Sequence, residues 1–395
     1  MASILRRGRI PVPPTGLSEY IDQAFSLKGF FGPWAHLYRR HNPAHVINAS
    51  NPALIYQGLD TSLLRPTDAD DPAGEPLVLL EGDRNLVALS CRRQVAPFAE
   101  RNVDRHQIRF YHQGAYALQT EFGGLEVGPG DFVVIPAGIV YREVPVHPGD
   151  PGAILILESE HHISLAEELW DKVGFAGMFV DYSAMDLASP GDGDGAQSPT
   201  RVRVRFDGRW EWLEHAFDPT QDVIGWLGDP MVFKMNVWDV PGIGTTHNFL
   251  TPPANAVLFA EDYSFFFNVL GPRPGVTMPP PNGSIGAPAH LNDYDEVWFK
   301  HASEMSPESV GDLWNLPRTI THPGLRGPAE HPPNPPRQVQ EMNINFDTKA
   351  KLRWTETARA TWFPDPQVKL YTSLYGAHVG VVPEVATTLA ERSKQ

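Results

Sequence analysis

The chain has 395 residues, of which 42% are hydrophobic and 20% charged, a composition typical of a globular protein with a sizeable core. Its formal net charge is -15 and no basic block stands out, so nucleic acid and anionic membrane surfaces are poor partners. The single cysteine, Cys91, excludes a disulfide framework and a thiolate metal cage. We find no secretion signal and no apolar run long enough to span a bilayer, and we therefore expect a cytoplasmic protein.

Proline and glycine punctuate the chain, with 39 and 34 copies, and they separate short β-branched and aromatic runs. This pattern predicts an all-β protein with many short strands and few helices. Residues 75–160 read as one β unit, with strands predicted at Leu77–Leu80, Leu86–Ser90, Ile108–Tyr111, Tyr116–Thr120, Phe132–Ile135 and Ile154–Leu157. The best helix candidate is Ile163–Phe175, with Ser164 as its N-cap and Glu167 three residues later.

A glycine- and aspartate-rich stretch, Asp186–Thr200, predicts a flexible linker. It divides the chain into an N-terminal region with a first barrel (1–185) and a second barrel with a C-terminal extension (201–395). Further strands are predicted in that extension at Leu352–Trp354 and Leu370–Ser373.

Two histidines and one glutamate follow a metal-ligand spacing in the second half. His290 and Glu296 belong to His-x-Asn-x3-Glu, and His322 ends Gly-x5-Pro-x4-His. On neighbouring strands, two imidazoles and a carboxylate can occupy one face of an octahedral metal and leave three positions open, which is the ligand set of non-haem Fe(II) oxygenases. Zinc also accepts such ligands, but the zinc-protease pattern His-Glu-x2-His is absent and the open positions favour Fe(II) with O2.

The two halves of the chain read as distant repeats. Residues 102–111 align with residues 290–299, and Gly130–Tyr141 aligns with Gly311–His322. The second alignment follows the Gly-x5-Pro-x-Gly-x2 half-motif of the cupin barrel, although Thr319 replaces its last glycine. The repeat predicts a bicupin, that is, two jelly-roll barrels. In the first barrel the ungapped alignment places Asn102, Ile108 and Tyr141 at the three metal positions, and none of them is a usual metal ligand. Only the second barrel is therefore expected to bind metal.

Three further segments resemble the homogentisate 1,2-dioxygenase family: Trp34–Arg39, Thr120–Arg142 and Asp222–Gly228. The resemblance implies an Fe(II) enzyme that opens a para-dihydroxylated aromatic ring with O2, with homogentisate giving maleylacetoacetate. It also implies a homo-oligomer, either a trimer or a hexamer.

The same resemblance assigns roles to four residues. It implies iron ligation by His290, Glu296 and His322, and it places His247 near the iron, where its imidazole could take a phenolic proton. Asn292 is expected to orient a ligand through its amide.

Several alternatives stay open at the level of sequence. His331 is the reserve candidate for the third metal ligand, and His301 also lies close to the motif in sequence. The substrate could be hydroquinone or gentisate, or the iron site could serve a tailoring dioxygenase. A bicupin that binds a ligand without catalysis is the alternative outside enzymes. A substrate carboxylate would need an anchor, for which three arginines are candidates: Arg273, Arg318 and Arg326.

Overall fold

The computed structural model describes residues 21–27, 29, 34–169, 171, 180–191, 198–229, 232–240, 256–271, 273–274, 289–303, 306–322, 338–339, 341–367 and 369–370. In these ranges strands and turns dominate, and the predicted all-β class with few helices is confirmed. Helix in the described ranges is short. The α-helical turn is Glu356–Arg359, further α-helical residues lie at 171, 366–367 and 369–370, and the 3-10 turns are Pro52–Leu54, Thr61–Leu63, Ala166–Leu169, Tyr182–Ala184, Val237–Asp239 and Pro307–Ser309. No helix in the described part of the chain is long and apolar enough to cross a membrane.

The strands of the first half, in chain order, are β1 (Ile21–Ser26), β2 (Trp34–Arg39), β3 (Gln57–Asp60), β4 (Leu77–Glu81), β5 (Asn85–Ser90), β6 (Ala99–Asn102), β7 (His106–Gln113), β8 (Tyr116–Thr120), β9 (Gly123–Val127), β10 (Asp131–Ile135), β11 (Val140–Pro145), β12 (Ala153–Ser159), β13 (Ile163–Leu165) and β14 (Asp186–Leu187). Those of the second half are β15 (Thr200–Phe206), β16 (Arg209–His215), β17 (Phe233–Asn236), β18 (Ala256–Ala260), β19 (Phe265–Leu270), β20 (Arg273–Pro274), β21 (Ala289–Leu291), β22 (Asp295–Ser303), β23 (Asp312–Leu316), β24 (Gln338–Val339), β25 (Glu341–Thr348) and β26 (Arg353–Trp354). All six strands predicted between residues 77 and 157 are present.

Two large sheets organise the molecule. One has the order β14-β17-β10-β7-β12-β5-β4-β26, and a six-stranded sheet, β16-β15-β6-β11-β8-β9, packs on its inner face to form the first barrel. The other has the order β13-β18-β19-β25-β22-β23-β3 and belongs to the second barrel, whose further strands form the three-stranded sheet β2-β1-β21.

Sheet membership does not follow the predicted boundaries at residues 185 and 200. Strand β3 of the N-terminal region pairs with β23, and β13 pairs with β18, while β17 from the second half pairs with β10. The hairpin β15-β16 extends the first barrel through β6. The described part of the predicted linker is also docked, because Asp186–Leu187 forms β14 and Ser189 bridges Gly124. Periodicity reports which face of a strand is buried, but not which open sheet edge the strand joins.

The helix predicted at Ile163–Phe175 is wrong over its first residues. Ile163–Leu165 forms β13, and the side chain of Ser164 hydrogen-bonds to Glu261 instead of capping a helix. Pairing with β18 overrides the local capping signal, which is a weak prior. Of the strand predicted at residues 370–373, Leu370 lies in a helical turn and the other residues are outside the described ranges.

The main core lies between the two large sheets. Phe110 packs edge-on against Phe299, with ring centroids 6.0 Å apart, and Phe132 packs against Phe267 at 5.1 Å. Successive strand residues point to opposite faces. The side chains of β22 therefore alternate, with Phe299 in this shared core and Glu296 on the face that lines the second barrel.

A pair of buried histidines spans this shared core and predicts a pH-dependent stability. The Nδ1 atoms of His112 and His301 lie 2.9 Å apart. Burial lowers the pKa of His112 to about 3, with His301 contributing, and burial lowers the pKa of His301 to about 4. Because an unfolded histidine has a pKa of about 6.5, the unfolded chain binds protons first as the pH falls. Between pH 7 and pH 5, each of the two histidines should therefore lower the unfolding free energy by about 2 kcal/mol.

Urea unfolding at pH 7 and pH 5 checks this expectation. The double variant His112→Phe/His301→Leu should lose most of the difference in unfolding free energy between the two pH values. An equal pH dependence in the variant and the native protein would place the sensitivity in other groups.

Candidate metal centre

The three predicted metal ligands come from adjacent elements of the second barrel. His290 is the central residue of β21, Glu296 is the second residue of β22, and His322 follows the turn after β23. The backbone N–H of each histidine donates to the carbonyl of the other at 3.2 Å, which forms an isolated bridge. This bridge brings two residues that are distant in sequence to one point on the barrel wall.

The side chains of the triad converge. The Nε2 atom of His290 lies 3.4 Å from Oε1 of Glu296, and that of His322 lies 3.3 Å from the same oxygen. All three residues are buried, with exposed fractions of 4%, 1% and 2%. Within the described residues, this is the cluster of three metal-ligating side chains whose donor atoms lie within 4.8 Å of one another.

The triad fits a divalent metal by two observations. Ligands about 2.1 Å from a metal and at right angles to each other lie about 3 Å apart, close to the separations seen here. Oε2 of Glu296 is buried and has no hydrogen-bond partner, so one oxygen is left for a cation. Burial alone would raise the pKa of Glu296, but the imidazoles of His322 and His290 hold this pKa well below its usual range. The carboxylate therefore stays ionised.

Asn292 holds the glutamate in place. Its Nδ2 donates to Oε1 of Glu296 at 2.6 Å, and its Oδ1 accepts the backbone N–H of Tyr294 at 2.7 Å. Its carbonyl accepts the backbone N–H of Thr319 at 2.6 Å. This is the orienting role expected for Asn292, and it links the glutamate to the turn that precedes His322.

That turn contains a β-branched residue in an unfavourable conformation. Thr319 has a φ of 58°, whereas Gly138, which precedes Tyr141 by the same three residues, has a φ of 89°. A positive φ is costly for threonine and free of steric penalty for glycine. We predict that Thr319→Gly raises the unfolding free energy by about 0.5–1 kcal/mol, net of the entropy that glycine loses on folding.

Denaturant unfolding of Thr319→Gly and of the matched variant Gly138→Thr measures this effect. A Cβ at Gly138 would meet no heavy atom within 4 Å, so Gly138→Thr should lose stability through the backbone alone. A Thr319→Gly variant no more stable than the native protein would contradict the prediction.

The remaining candidates of the sequence divide into three groups. His301 lies on the opposite face of β22 from Glu296 and pairs with His112, so it is not part of the site. Arg318 bonds Asp295 at 2.9 Å and is engaged in holding the turn, not in the barrel interior. Outside the described residues lie His247, His331 and Arg326, and nothing is described of the Arg273 side chain. The assignment of His247 as a base stays a prediction.

The two barrels repeat one another closely enough to align their interiors by hydrogen bonds. In the first, the N–H of Gly138 donates to the carbonyl of Asn102 at 2.7 Å, as that of Thr319 does to Asn292 at 2.6 Å. The side chain of each asparagine accepts the backbone N–H two residues later, at 3.1 and 2.7 Å. Asn102 therefore corresponds to Asn292, and the matching strand order supports the cupin character of both barrels.

This anchor shows that two of the three predicted non-ligand positions are wrong. Glu100, which pairs with Tyr141, corresponds to His290, which bridges His322. Gln107 corresponds to Glu296, because each is paired with an acidic residue of the last long strand. Ile108 instead faces the shared core. The first barrel has one more residue than the second between the asparagine and the next strand position, and an ungapped alignment misses this shift.

An ion-paired network occupies the interior of the first barrel beside these positions. Arg109 binds both oxygens of Glu143 at 2.8 Å and donates to the hydroxyl of Tyr141 at 3.1 Å. Arg203 pairs with Glu100. Two guanidinium groups among these residues oppose a cation there, which supports the expectation of a single metal site in the second barrel.

The sequence reading missed two polar residues beside the triad. Asp347 of β25 is the cross-strand partner of Glu296. Asn268 of β19 donates a hydrogen bond to Asp347 at 2.7 Å. Both are buried. A signal was present, because β25 alternates Asn343, Asn345 and Asp347 with apolar residues, the pattern of a strand with one polar face.

Comparison with known proteins gives distant relatives. No protein-family model matches the chain. A protein of Saccharolobus solfataricus named "Putative dioxygenase" is 25% identical over 258 residues, which are 61% of this chain and 64% of that protein. The chain thus matches less than two thirds of the length of this curated relative.

Solved structures of cupin proteins are also similar. The cupin 2 conserved barrel domain protein from Leptotrichia buccalis has a TM-score of 0.34 at 10% identity, covering 73% of this chain and 93% of its own. AerE from Microcystis aeruginosa has a TM-score of 0.32 at 10% identity, covering 76% and 99%. At TM-scores this low the likenesses add nothing to the strand order, on which the fold assignment rests.

Proposed function

We propose that the protein is an Fe(II)-dependent dioxygenase that opens a para-dihydroxylated aromatic ring. The observation that carries the proposal is the buried triad, in which two imidazoles converge on one carboxylate that keeps an unpaired oxygen. This is the donor set that non-haem Fe(II) oxygenases use. The similarity to a protein named as a dioxygenase supports the same class of reaction.

His290, Glu296 and His322 would hold the iron from one side and leave the other side to substrate and O2. Iron, when bound, would bring the aromatic ring and dioxygen together and let electron density pass from the ring to dioxygen. The negative charge of Glu296 would attract the cation and offset part of its charge, and burial of the triad excludes bulk water from the reacting groups. His247 would accept the phenolic proton when the substrate hydroxyl becomes a metal-binding phenolate.

Homogentisate is the substrate that the family resemblance favours, with maleylacetoacetate as its product. Hydroquinone and gentisate offer the same para-diol to the same iron. They differ from homogentisate in the carboxyl group. Hydroquinone has none, and in gentisate the carboxyl group is bonded directly to the ring.

Oxygen consumption tests the proposal. The protein, purified anaerobically and loaded with Fe(II), should consume one O2 per ring opened with at least one member of a panel of homogentisate, gentisate and hydroquinone. If no member of the panel provokes O2 uptake by protein that retains iron, ring-opening activity is excluded for these diols and the proposal fails.

A further inference from the structure

Beside the triad, the wall of the second barrel carries polar side chains that nothing in the proposed metal site uses. Asn268 and Asp347 have exposed fractions of 0% and 2%, and Nδ2 of Asn268 donates to Oδ2 of Asp347 at 2.7 Å. The other oxygens of the pair, Oδ1 of Asn268 and Oδ1 of Asp347, are buried and have no hydrogen-bond partner. The pair therefore presents two buried oxygens that lack a hydrogen-bond partner.

The orientation of the Asn268 amide is set by its surroundings. Its Nδ2 lies between two acceptors, the Asp347 carboxylate and the carbonyl of Asn345 at 3.4 Å. An amide turned the other way would bring its oxygen against these two oxygens. The free atom of the side chain is therefore the oxygen, which can only accept a hydrogen bond.

The first barrel shows the same position with its carboxylate held by amide donors. Glu158 is the counterpart of Asp347, since it pairs with Gln107 as Asp347 pairs with Glu296. There Oε1 of the carboxylate accepts two amide hydrogen bonds, from Asn102 at 2.9 Å and from Gln107 at 2.8 Å, and neither oxygen of Glu158 is both buried and unpaired.

In the second barrel the carboxylate of Asp347 receives neither of these two donors. The counterpart of Asn102 is Asn292, which donates to Glu296 instead, and the counterpart of Gln107 is Glu296 itself. A buried acceptor without a donor is costly. Such an acceptor next to a metal ligand indicates a place where a ligand supplies the hydrogen.

We infer that Asp347 and Asn268 form a subsite that accepts a hydrogen bond from a hydroxyl group of the substrate, beside the metal ligand Glu296. The inference rests on the proposed function and specifies which group of the substrate the protein recognises. A ring hydroxyl can donate to either oxygen. A substrate carboxylate cannot donate when ionised, and it would stand close to the negative charge of Glu296. The subsite therefore reads the second hydroxyl of a diol, and Asp347 determines specificity for it.

Anaerobic calorimetry with the Fe(II)-loaded protein tests the subsite without turnover, using hydroquinone and phenol as probes. Both offer one phenolic oxygen to the metal, but only hydroquinone carries a second hydroxyl. The native protein should bind hydroquinone at least about tenfold more tightly than phenol, the scale of satisfying a buried acceptor that otherwise lacks a donor. In Asp347→Leu this ratio should fall most of the way to one, because only Oδ1 of Asn268 remains as an acceptor, and the affinity for phenol should be retained. Asp347→Asn, which keeps one acceptor oxygen, should give an intermediate ratio.

The matched control is Glu158→Gln in the first barrel, which replaces the corresponding carboxylate and should leave the ratio unchanged. A native ratio near one, or a ratio that survives in an iron-containing Asp347→Leu protein, would overturn the subsite and leave its acceptors to ordered water. The native ratio does not depend on whether any variant folds.

The subsite and the proposed reaction can fail separately. A ratio that is present and lost in Asp347→Leu, without O2 uptake, would support the subsite and refute ring opening. Uptake of O2 with a native ratio near one would refute the subsite alone.

Discussion

Glu296→Ala is expected to release the iron and abolish O2 uptake. The substitution removes one of three protein ligands, and the one that brings the negative charge. Loss of even an outer hydrogen bond to a metal ligand costs about tenfold to a hundredfold in metal affinity, so loss of the ligand itself should exceed about a hundredfold. His290→Ala and His322→Ala should behave alike. Iron per chain, measured after anaerobic gel filtration, reports the effect directly.

The matched control for this experiment is Gln107→Ala, which truncates the corresponding position of the first barrel. It should keep a full complement of iron and full activity, because its surroundings are amides, carboxylates and the guanidinium of Arg109. Unchanged iron content in His322→Ala would move the third ligand elsewhere, with His331 the next candidate.

His247→Ala is expected to keep its iron and to slow turnover by about a hundredfold or more, the usual scale for loss of a general acid or base. The physical reason is that an imidazole titrates near neutral pH and can carry the phenolic proton, whereas alanine leaves that proton to solvent. Single-turnover rates under saturating O2, together with iron analysis, measure the change. The acid limb of the pH–rate profile should weaken in the variant.

His331→Ala serves as the control for His247→Ala, since it removes an imidazole from another part of the sequence and should leave both iron content and rate unchanged. A His247→Ala protein that turns over at the native rate would remove the residue from the proposed mechanism. One that loses iron would assign His247 to the metal instead.

The sequence predicted six strands of the first barrel, because each is a short run rich in apolar residues, but it missed β6, β9 and β11. Its spacing also selected His290, Glu296 and His322, and these side chains converge in the structure. The convergence depends on the bridge between His290 and His322, which no local pattern encodes. Only the duplicated half-motif related the two segments before the structure did.

Two features escaped the sequence for physical reasons. The exchange of β3, β13 and β17 between the sheets depends on which edges are left open, and pattern is silent on that. The one-residue shift between Asn102 and Gln107 is invisible without the hydrogen bonds that anchor Asn102 to Gly138. Correcting the shift is what pairs Asp347 with Glu158 and reveals the unsatisfied carboxylate.

The most direct test of the central claim is an anomalous difference map at the iron edge, from crystals grown anaerobically with Fe(II). We predict one peak per chain, bounded by Nε2 of His290, Nε2 of His322 and a carboxylate oxygen of Glu296, and none beside Arg109 in the first barrel. A peak in the first barrel, or density for the metal away from these three side chains, would contradict the account.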